Sequence, residues 1–213
     1  RDRNGCLVAW NESGREAVLE GYLGPGAIRV VDAFGNAHRA PQDASGMYLR
    51  VPIGPEPVFI EPIDPRLARL VSGFRIEPGA AAAVIAAHEH ELVVDNPWPV
   101  AMAGEIRVIS PSAKERWDVS PPSSVPFNAP AGGRARVPIT LSFPPDQESG
   151  PVAVVATLQL RSPVNAPPMR VAAELTIGLL DLAISADAAR APGADGPDVV
   201  INVTITNQGT RER

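Results

Sequence analysis

Two histidines separated by one residue form the clearest candidate for a metal site. His88 and His90 flank Glu89 in a segment that reads as a β-strand. Because side chains at positions i and i+2 of a strand share one face, both imidazoles could reach one ion, with Glu89 and Glu91 facing away. Two ligands do not complete a site, and no further histidine lies nearby in the sequence. A polar strand at a sheet edge is therefore the first interpretation, and a metal site is the alternative.

Three carboxylates near one another form the second candidate, because glycoside hydrolases use two carboxyl groups separated by about 5–10 Å. Glu56, Glu61 and Asp64 lie among prolines in a segment that reads as an exposed exit from a strand. A solvated surface is the first interpretation. If the purified protein hydrolysed aryl glycosides and Glu61→Gln abolished that activity, the catalytic interpretation would be correct.

Tryptophans are the side chains with which this chain could bind a sugar, since aromatic faces pack against pyranose rings. Trp98 stands between Pro97 and Pro99 in a predicted turn, so we expect it to be the most exposed of the three. Trp98 is thus the candidate carbohydrate-binding residue, against the alternative of packing at the end of a sandwich. We expect Trp10 and Trp117 in the core.

Cys6 is the only cysteine, so there is no pair from which to build a disulfide framework. Beside Leu7 and Val8, it reads as a small buried hydrophobic residue rather than a nucleophile. The sequence also lacks a phosphate-binding loop and a Gly-x-Ser-x-Gly elbow. We predict no catalytic residue and no cofactor.

Composition and charge exclude several functional classes. Lysine and arginine number 19 against 24 acidic residues, a net charge of −5, so a surface that attracts nucleic acid is not expected. No apolar run approaches the roughly 20 residues of a membrane helix, and we predict no membrane span. The chain has 24 prolines and 18 glycines, but 45% of its residues are hydrophobic and they alternate with polar ones. This pattern is typical of many short strands joined by tight turns.

Alternation with a period of two predicts antiparallel strands with one face on a core. A Gly-Asn loop at Asp32–Asn36 predicts a hairpin, and we assign the alanine-rich segment Ala80–Ala87 to a strand. The clearest alternating segments are Arg136–Phe143, Val152–Leu160, Arg170–Ile177 and Val199–Thr206.

Three blocks follow from the turns and the strand spacing: residues 1–64, 65–178 and 179–213. The predicted fold class is all-β, with tandem antiparallel β-sandwiches of which the central one is immunoglobulin-like. Because a final strand cannot bury its own apolar face, we expect the chain to be a piece of a longer protein. Proteases should cut at the joints, near Ile63–Leu67 and Leu179–Asp181.

Short motifs of the central block occur in a recognisable order: a strand ending in Asn, a second strand, a Trp-containing segment, a Gly turn and a Gly-opened strand. They are Val93–Pro97, Gly104–Val108, Arg116–Pro121, Ala131–Val137 and Ser149–Val152. This order resembles the immunoglobulin-like domain associated with bacterial alpha-galactosidases and other glycosidases, the NPCBM-associated (NEW) domain. That family usually has Gly directly before the Trp, where this chain has Arg116.

The flanking blocks carry resemblances of their own. Val203–Gly209 in the third block is similar to the start of a cell-adhesion-related (CARDB) domain. Val30–Asn36 and Pro57–Glu61 in the first block resemble the β-sandwich that closes many glycosidase catalytic regions.

These resemblances imply the tail of a secreted or surface-located bacterial carbohydrate-active protein, with a catalytic barrel upstream. The expected function is that of a non-catalytic accessory or spacer region. The expected partners are the upstream catalytic domain of the same chain and a polysaccharide or cell surface. One alternative is a carbohydrate-binding or adhesive module, and another is that the first block supports the active site of the missing barrel.

Overall fold

Strands dominate the architecture. The computed structural model describes residues 5–13, 17–110, 117–144, 146–178, 182–190 and 199–207, and within these ranges it contains a single helix. The all-β prediction is confirmed. No helix in the described ranges is both long and apolar enough to cross a bilayer.

The first sandwich encloses a small core between a four-stranded and a two-stranded antiparallel sheet. In spatial order the larger sheet contains β1 (Gly5–Ala9), β6 (Val58–Ile63), β3 (Arg29–Val31) and β4 (Ala37–Arg39), and the smaller contains β2 (Ala17–Gly21) and β5 (Leu49–Ile53). The core is aliphatic and includes Val30, Val51 and Ile60. Val30 and Val51 lie on inward positions of alternating strands, as period two requires.

The predicted hairpin at Asp32–Asn36 is present and joins β3 to β4. The Asp32 carboxylate accepts hydrogen bonds from the backbone N–H groups of Phe34 and Asn36, both at 2.9 Å, and from the Asn36 side chain at 2.8 Å. Gly35 has φ of +89°, a conformation that a side chain disfavours. These hydrogen bonds hold the pKa of Asp32 below its ordinary value.

One short helix, α1 (Pro65–Ser72), follows the first sandwich, where the sequence analysis placed only a joint. Asp64 caps it, since its carboxylate accepts a hydrogen bond from the Arg66 backbone N–H at 2.9 Å. Proline at the first helical position is favourable because its missing N–H would have no helical acceptor. The predicted cleavage segment at Ile63–Leu67 is therefore partly helical, and both of its end residues are buried.

The second sandwich encloses a much larger core between a five-stranded and a four-stranded sheet. In spatial order the five-stranded sheet contains β12 (Val125–Ala129), β10 (Met102–Ser110), β14 (Gly150–Ser162), β15 (Met169–Gly178) and β8 (Ala80–Ala82). The four-stranded sheet contains β11 (Asp118–Ser120), β13 (Arg134–Ser142), β9 (His88–Asp95) and β7 (Arg75–Glu77). Long alternating strands such as β15 bury every second residue between the sheets.

The alanine-rich segment is only partly a strand. Within Ala80–Ala87, residues Ala80–Ala82 form β8, which pairs in parallel with β15, and residues 83–87 lack strand structure. The prediction of a strand over the whole segment was therefore wrong at its second half. The chain leaves one sheet after β7 and joins the other as β8, so the two sheets share this edge.

The third block is described as one antiparallel hairpin, β16 (Leu182–Arg190) and β17 (Val199–Asn207). The predicted joint at Leu179–Asp181 and the end of the CARDB-like motif lie outside the described residues. Ile201 and Val203 are exposed in β17.

Candidate functional site

His88 and His90 lie on β9, and each ring contacts a different backbone carbonyl. His88 Nε2 lies 3.2 Å from the Val84 carbonyl oxygen, and its ring stacks on Phe143 with 4.7 Å between centroids. His90 Nδ1 lies 2.8 Å from the Pro78 carbonyl oxygen. The rings are thus held by separate interactions at this end of the sandwich.

His90 is the unusual member of the pair because it is buried, with 3% of its surface exposed. Since a carbonyl oxygen only accepts, Nδ1 carries the proton and Nε2 of the neutral ring is an acceptor. That Nε2 atom is buried and has no hydrogen-bond partner among the described residues. Burial lowers the pKa of His90, and the neighbouring His88 lowers it further, against the opposing effect of the hydrogen bond to Pro78.

The two histidines are not joined by a third metal ligand. Among the described residues, no three His, Cys, Asp or Glu side chains lie close enough together to hold an ion. Glu91 faces away from the histidines, as predicted, and its carboxylate accepts a 2.6 Å hydrogen bond from Arg136. Metal binding by this pair stays a prediction.

Trp98 is buried, with only 4% of its surface exposed, so the expectation that it is the most exposed tryptophan was wrong. Asn96 explains its position. The Asn96 side-chain oxygen accepts a 2.9 Å hydrogen bond from the Trp98 backbone N–H. The Asn96 amide nitrogen donates to the carbonyls of Val100, Ala129 and Pro130. This buried asparagine therefore folds the Pro-Trp-Pro turn inward, which the turn residues alone did not indicate.

A cavity of about 370 Å³ lies between the two sandwiches, and Trp98 forms part of its wall. Asp64 and Arg66 at the start of α1 line the same cavity, together with Pro62 and Pro163. With so little of the ring exposed, Trp98 does not offer a face on which a pyranose could stack. Its place in the structure is packing at the end of the second sandwich, the alternative named above.

The candidate carboxylates do not act as a pair, because Glu61 and Asp64 each have a different hydrogen-bond donor. Glu61 accepts a 2.7 Å hydrogen bond from Arg29 on the neighbouring strand, and Asp64 caps α1. Glu56 is exposed in the loop before β6. Glu61 and Asp64 thus have structural partners on the surface of the first sandwich.

A charged network that was not predicted from the sequence covers the outer face of the four-stranded sheet in the second sandwich. Arg136 donates to Glu77 at 2.8 Å and to Glu91 at 2.6 Å, while Arg75 donates to Glu77 at 2.9 Å and to Asp95 at 2.6 Å. The hydrogen bonds from the two arginines lower the pKa of Glu77. The register of β7, β9 and β13 could have revealed the network, because these residues share one face across three strands.

The network borders an open groove of about 660 Å³. Val93 lies beneath the arginines, between Arg75 and Arg136 in register, and is fully buried although it faces outward. Arginine stems cover apolar surface in this way. The network therefore shields this face of the sheet from solvent. Both arginines, Arg75 and Arg136, already have carboxylate partners.

Two further burial expectations fail in the first sandwich and one holds in the second. Trp10 is 55% exposed, and its Nε1–H donates to Glu12 at 2.9 Å rather than entering the core. Cys6 is exposed as well. Trp117 is buried as predicted and donates a 2.8 Å hydrogen bond to Gln147.

No protein-family model matches the chain, and no curated protein matches it. Several solved structures show similarity to the chain, and two of them have a TM-score of 0.31. One is WR4, a C. elegans MSP family member, at 10% identity over 49% of this chain and 96% of that one. The other is the secreted serine protease VesC from Vibrio cholerae, at 9% identity over 78% of this chain and 47% of that one. Similarity at this level carries no argument about function.

Proposed function

We propose that this chain is a non-catalytic accessory region that holds neighbouring parts of a larger secreted or surface carbohydrate-active protein at a fixed spacing. The observation that carries the proposal is the junction between the sandwiches. The resemblance of the sequence motifs to glycosidase-associated domains supplies the biological setting.

The junction is a packed interface rather than a flexible linker. Leu67 and Leu70 of α1 lie in the core of the second sandwich, while Ala68 packs against the core of the first. Tyr22 of the first sandwich packs in turn against the second core. One short helix therefore contributes to both cores, so moving one sandwich relative to the other would expose apolar surface.

A hydrogen bond between distant loops adds to this contact. The Tyr48 hydroxyl donates to the Pro168 carbonyl oxygen at 2.7 Å across the junction. The backbone N–H of Asp64 also donates to the Leu23 carbonyl oxygen at 2.8 Å, fixing the chain as it enters α1. Such a joint keeps the two sandwiches in a fixed relative orientation, as a spacer requires.

Spin-label distances test the proposal directly. In a Cys6→Ser background, labels at Ala44→Cys and Ser123→Cys, both exposed, report the distance between sandwiches. We expect a distribution as narrow as that of the matched pair Ser123→Cys and Ala172→Cys, which lies within the second sandwich. A clearly broader distribution across the junction would refute a rigid spacer.

A carbohydrate-binding or adhesive module is the alternative function, and support of a catalytic barrel by the first sandwich is another. A glycan array with the wild type and Trp98→Ala tests the first of these. Because Trp98 is packed, a mutant that loses binding must also be shown to melt like the wild type. Binding lost from a folded Trp98→Ala protein would favour the binding module over the spacer.

A further inference from the structure

Strand β15 of the second sandwich is paired along one edge and only in part along the other. On one side β14 pairs with residues 169–177. On the opposite side β8 pairs with residues 176–178 alone. The Tyr48 hydroxyl contacts the Pro168 carbonyl just before β15 begins, so residues 170–174 lie between this contact and β8. We call residues 170–174 the open edge.

The backbone groups of the open edge point away from the sheet. The Thr176 N–H donates to the Gly79 carbonyl oxygen at 3.0 Å, on the side of β15 away from β14. Because these groups alternate between the two sides of a strand, those of Arg170, Ala172 and Glu174 face the same way as those of Thr176. Among the described residues, none of their outward N–H and C=O groups has a hydrogen-bond partner, and all three residues are exposed. A row of unpaired groups at this spacing is a template for another strand.

A hollow of about 380 Å³ lies on the outer face of the sheet beside the open edge. It forms where the small side chains of Ala153 on β14 and Ala172 on β15 leave room, and Pro151 and Glu174 border it. In an added strand every second side chain lies on this same face. The side chain beside Ala172 would extend over the hollow. The hollow therefore favours an aliphatic residue at the centre of an added strand.

The two ends of the open edge carry opposite charges. Arg170 lies opposite Thr157, and Arg107 lies on the other side of that threonine, so one end has two cations. Glu174 stands at the other end, opposite Ala153. Neither Arg170 nor Glu174 has an ion-pair partner within the part of the chain that the structure describes. Charge complementarity therefore favours a strand with an acidic residue opposite Arg170 and a basic residue opposite Glu174.

We infer that the open edge binds an extended segment of a partner protein, which joins the five-stranded sheet as a further strand. The segment runs antiparallel to β15, the more stable pairing, with a basic residue opposite Glu174, an aliphatic residue opposite Ala172 and an acidic residue opposite Arg170. Two main-chain hydrogen bonds at each of these positions supply the affinity, while the hollow and the charges select the sequence. Since β8 and the Tyr48 contact limit the open edge, the paired segment is about five residues, or roughly 17 Å, long.

Heteronuclear NMR of the 213-residue chain with the peptide acetyl-Lys-Thr-Val-Thr-Glu-amide tests this inference. We expect saturable shifts of the backbone amide signals of Arg170, Ala172 and Glu174, with little change in the first sandwich.

Two N-methylated forms of the peptide separate strand addition from other binding. A methyl group on the valine amide removes the hydrogen bond to Ala172 and meets the strand edge, whereas one on the next threonine amide points away from β15. The first should raise the dissociation constant about tenfold or more, and the second should change it less than about twofold.

Two protein variants form a matched pair at the centre of the open edge. Ala172→Pro removes the outward N–H but leaves the pairing with β14, because proline is compatible with an edge strand. It should weaken peptide binding about tenfold, since a donor is lost and the ring meets the added strand. Ala172→Ser keeps the N–H and should bind the peptide as the wild type does. Melting temperatures show that both variants are folded.

Exchanging the charges tests the register of the added strand. Arg170→Glu combined with Glu174→Arg should reverse the preference between this peptide and its reversed sequence, Glu-Thr-Val-Thr-Lys, by about threefold or more. Equal binding of both N-methylated peptides, no shift at the open edge, or a wild-type preference for the reversed sequence would overturn the inference. Concentration-dependent shifts of the same amides without peptide would assign the edge to a second copy of the chain, which would overturn it as well.

Discussion

The two sandwiches bury the same kinds of residue to very different extents. Among the residues that the structure describes, the first has nine buried core residues and the second has 28. In the second, Trp117 packs against Phe143 with 5.1 Å between centroids, whereas in the first Trp10 follows β1 and faces solvent. Alternation alone does not distinguish the two tryptophans, because it fixes which residues share a face and not which face meets another sheet.

Replacing the two tryptophans should therefore give the largest contrast. Trp117→Ala removes a buried ring and its hydrogen bond to Gln147, and should lower the free energy of unfolding by about 3–5 kcal/mol. Trp10→Ala should cost under about 1 kcal/mol, because most of its ring is already solvated. Urea denaturation followed by circular dichroism measures both. Equal losses would show that the first sandwich depends on Trp10 as the second depends on Trp117.

Packing inside the second sandwich can be tested at a glycine. A Cβ atom at Gly104 would lie 2.5 Å from the Gln159 carbonyl oxygen and 2.9 Å from the Phe127 ring, both on neighbouring strands. Gly104→Ala should destabilise the protein by about 3 kcal/mol, since the backbone cannot move away freely.

Gly178→Ala is the matched control, because a Cβ there meets no atom of the described residues within 4 Å. It should change the melting temperature little. If Gly104→Ala melted like Gly178→Ala, the close packing of β10 against β14 and Phe127 would be wrong.

The alternating segments of the sequence predicted β13, β14, β15 and β17, because period two is a local property. The sequence also contained the signal for α1, in Asp64 followed by Pro65, although the segment was assigned to a joint. The burial of Trp98 could not be predicted in the same way. It depends on Asn96 reaching carbonyls more than thirty residues away, at Ala129 and Pro130.

Of the candidate site, the sequence predicted the shared face of His88 and His90 but not their environment. The burial of His90 depends on the Pro78 carbonyl, where the chain crosses between sheets. No local pattern specifies such a crossing. The ion network on the outer face was hidden for a similar reason, since its pairs form only when Arg75 and Arg136 align across β9.

Acid should destabilise the second sandwich through His90. Its pKa is lowered from the ordinary value of 6.5, so the unfolded state binds the proton more readily. The neutral His90 ring therefore contributes its full share of the folding stability when the pH is above 6.5. That share is lost as the pH falls from 6.5 towards the lower pKa of the folded state. The slope cannot exceed about 1.4 kcal/mol per pH unit for one group.

The comparison of His90→Gln with the wild type across this pH range measures the effect. The variant should show a flatter dependence of unfolding free energy on pH between neutral and mildly acidic solution. His38→Gln, at an exposed position of β4, is the matched control and should keep the wild-type slope. An unchanged slope in His90→Gln would mean that the ring is reached by water.

The smallest expected effect lies at the junction and tests whether the two unequal sandwiches behave as one unit. Tyr48→Phe removes the hydrogen bond to Pro168 and should lower the free energy of unfolding by about 0.5–1 kcal/mol, as for a partly solvated bond. Tyr22 also lies at the junction, where its ring packs against the second core. Tyr22→Phe removes its hydroxyl and should lower the free energy of unfolding by less than Tyr48→Phe does. If contact with the second sandwich stabilises the first, the two should unfold together in one transition in the wild type. Tyr48→Phe should then begin to separate that transition into two. A single transition, unchanged in midpoint, would assign the coupling to α1 alone, because Leu67, Leu70 and Ala68 would then suffice to join the cores.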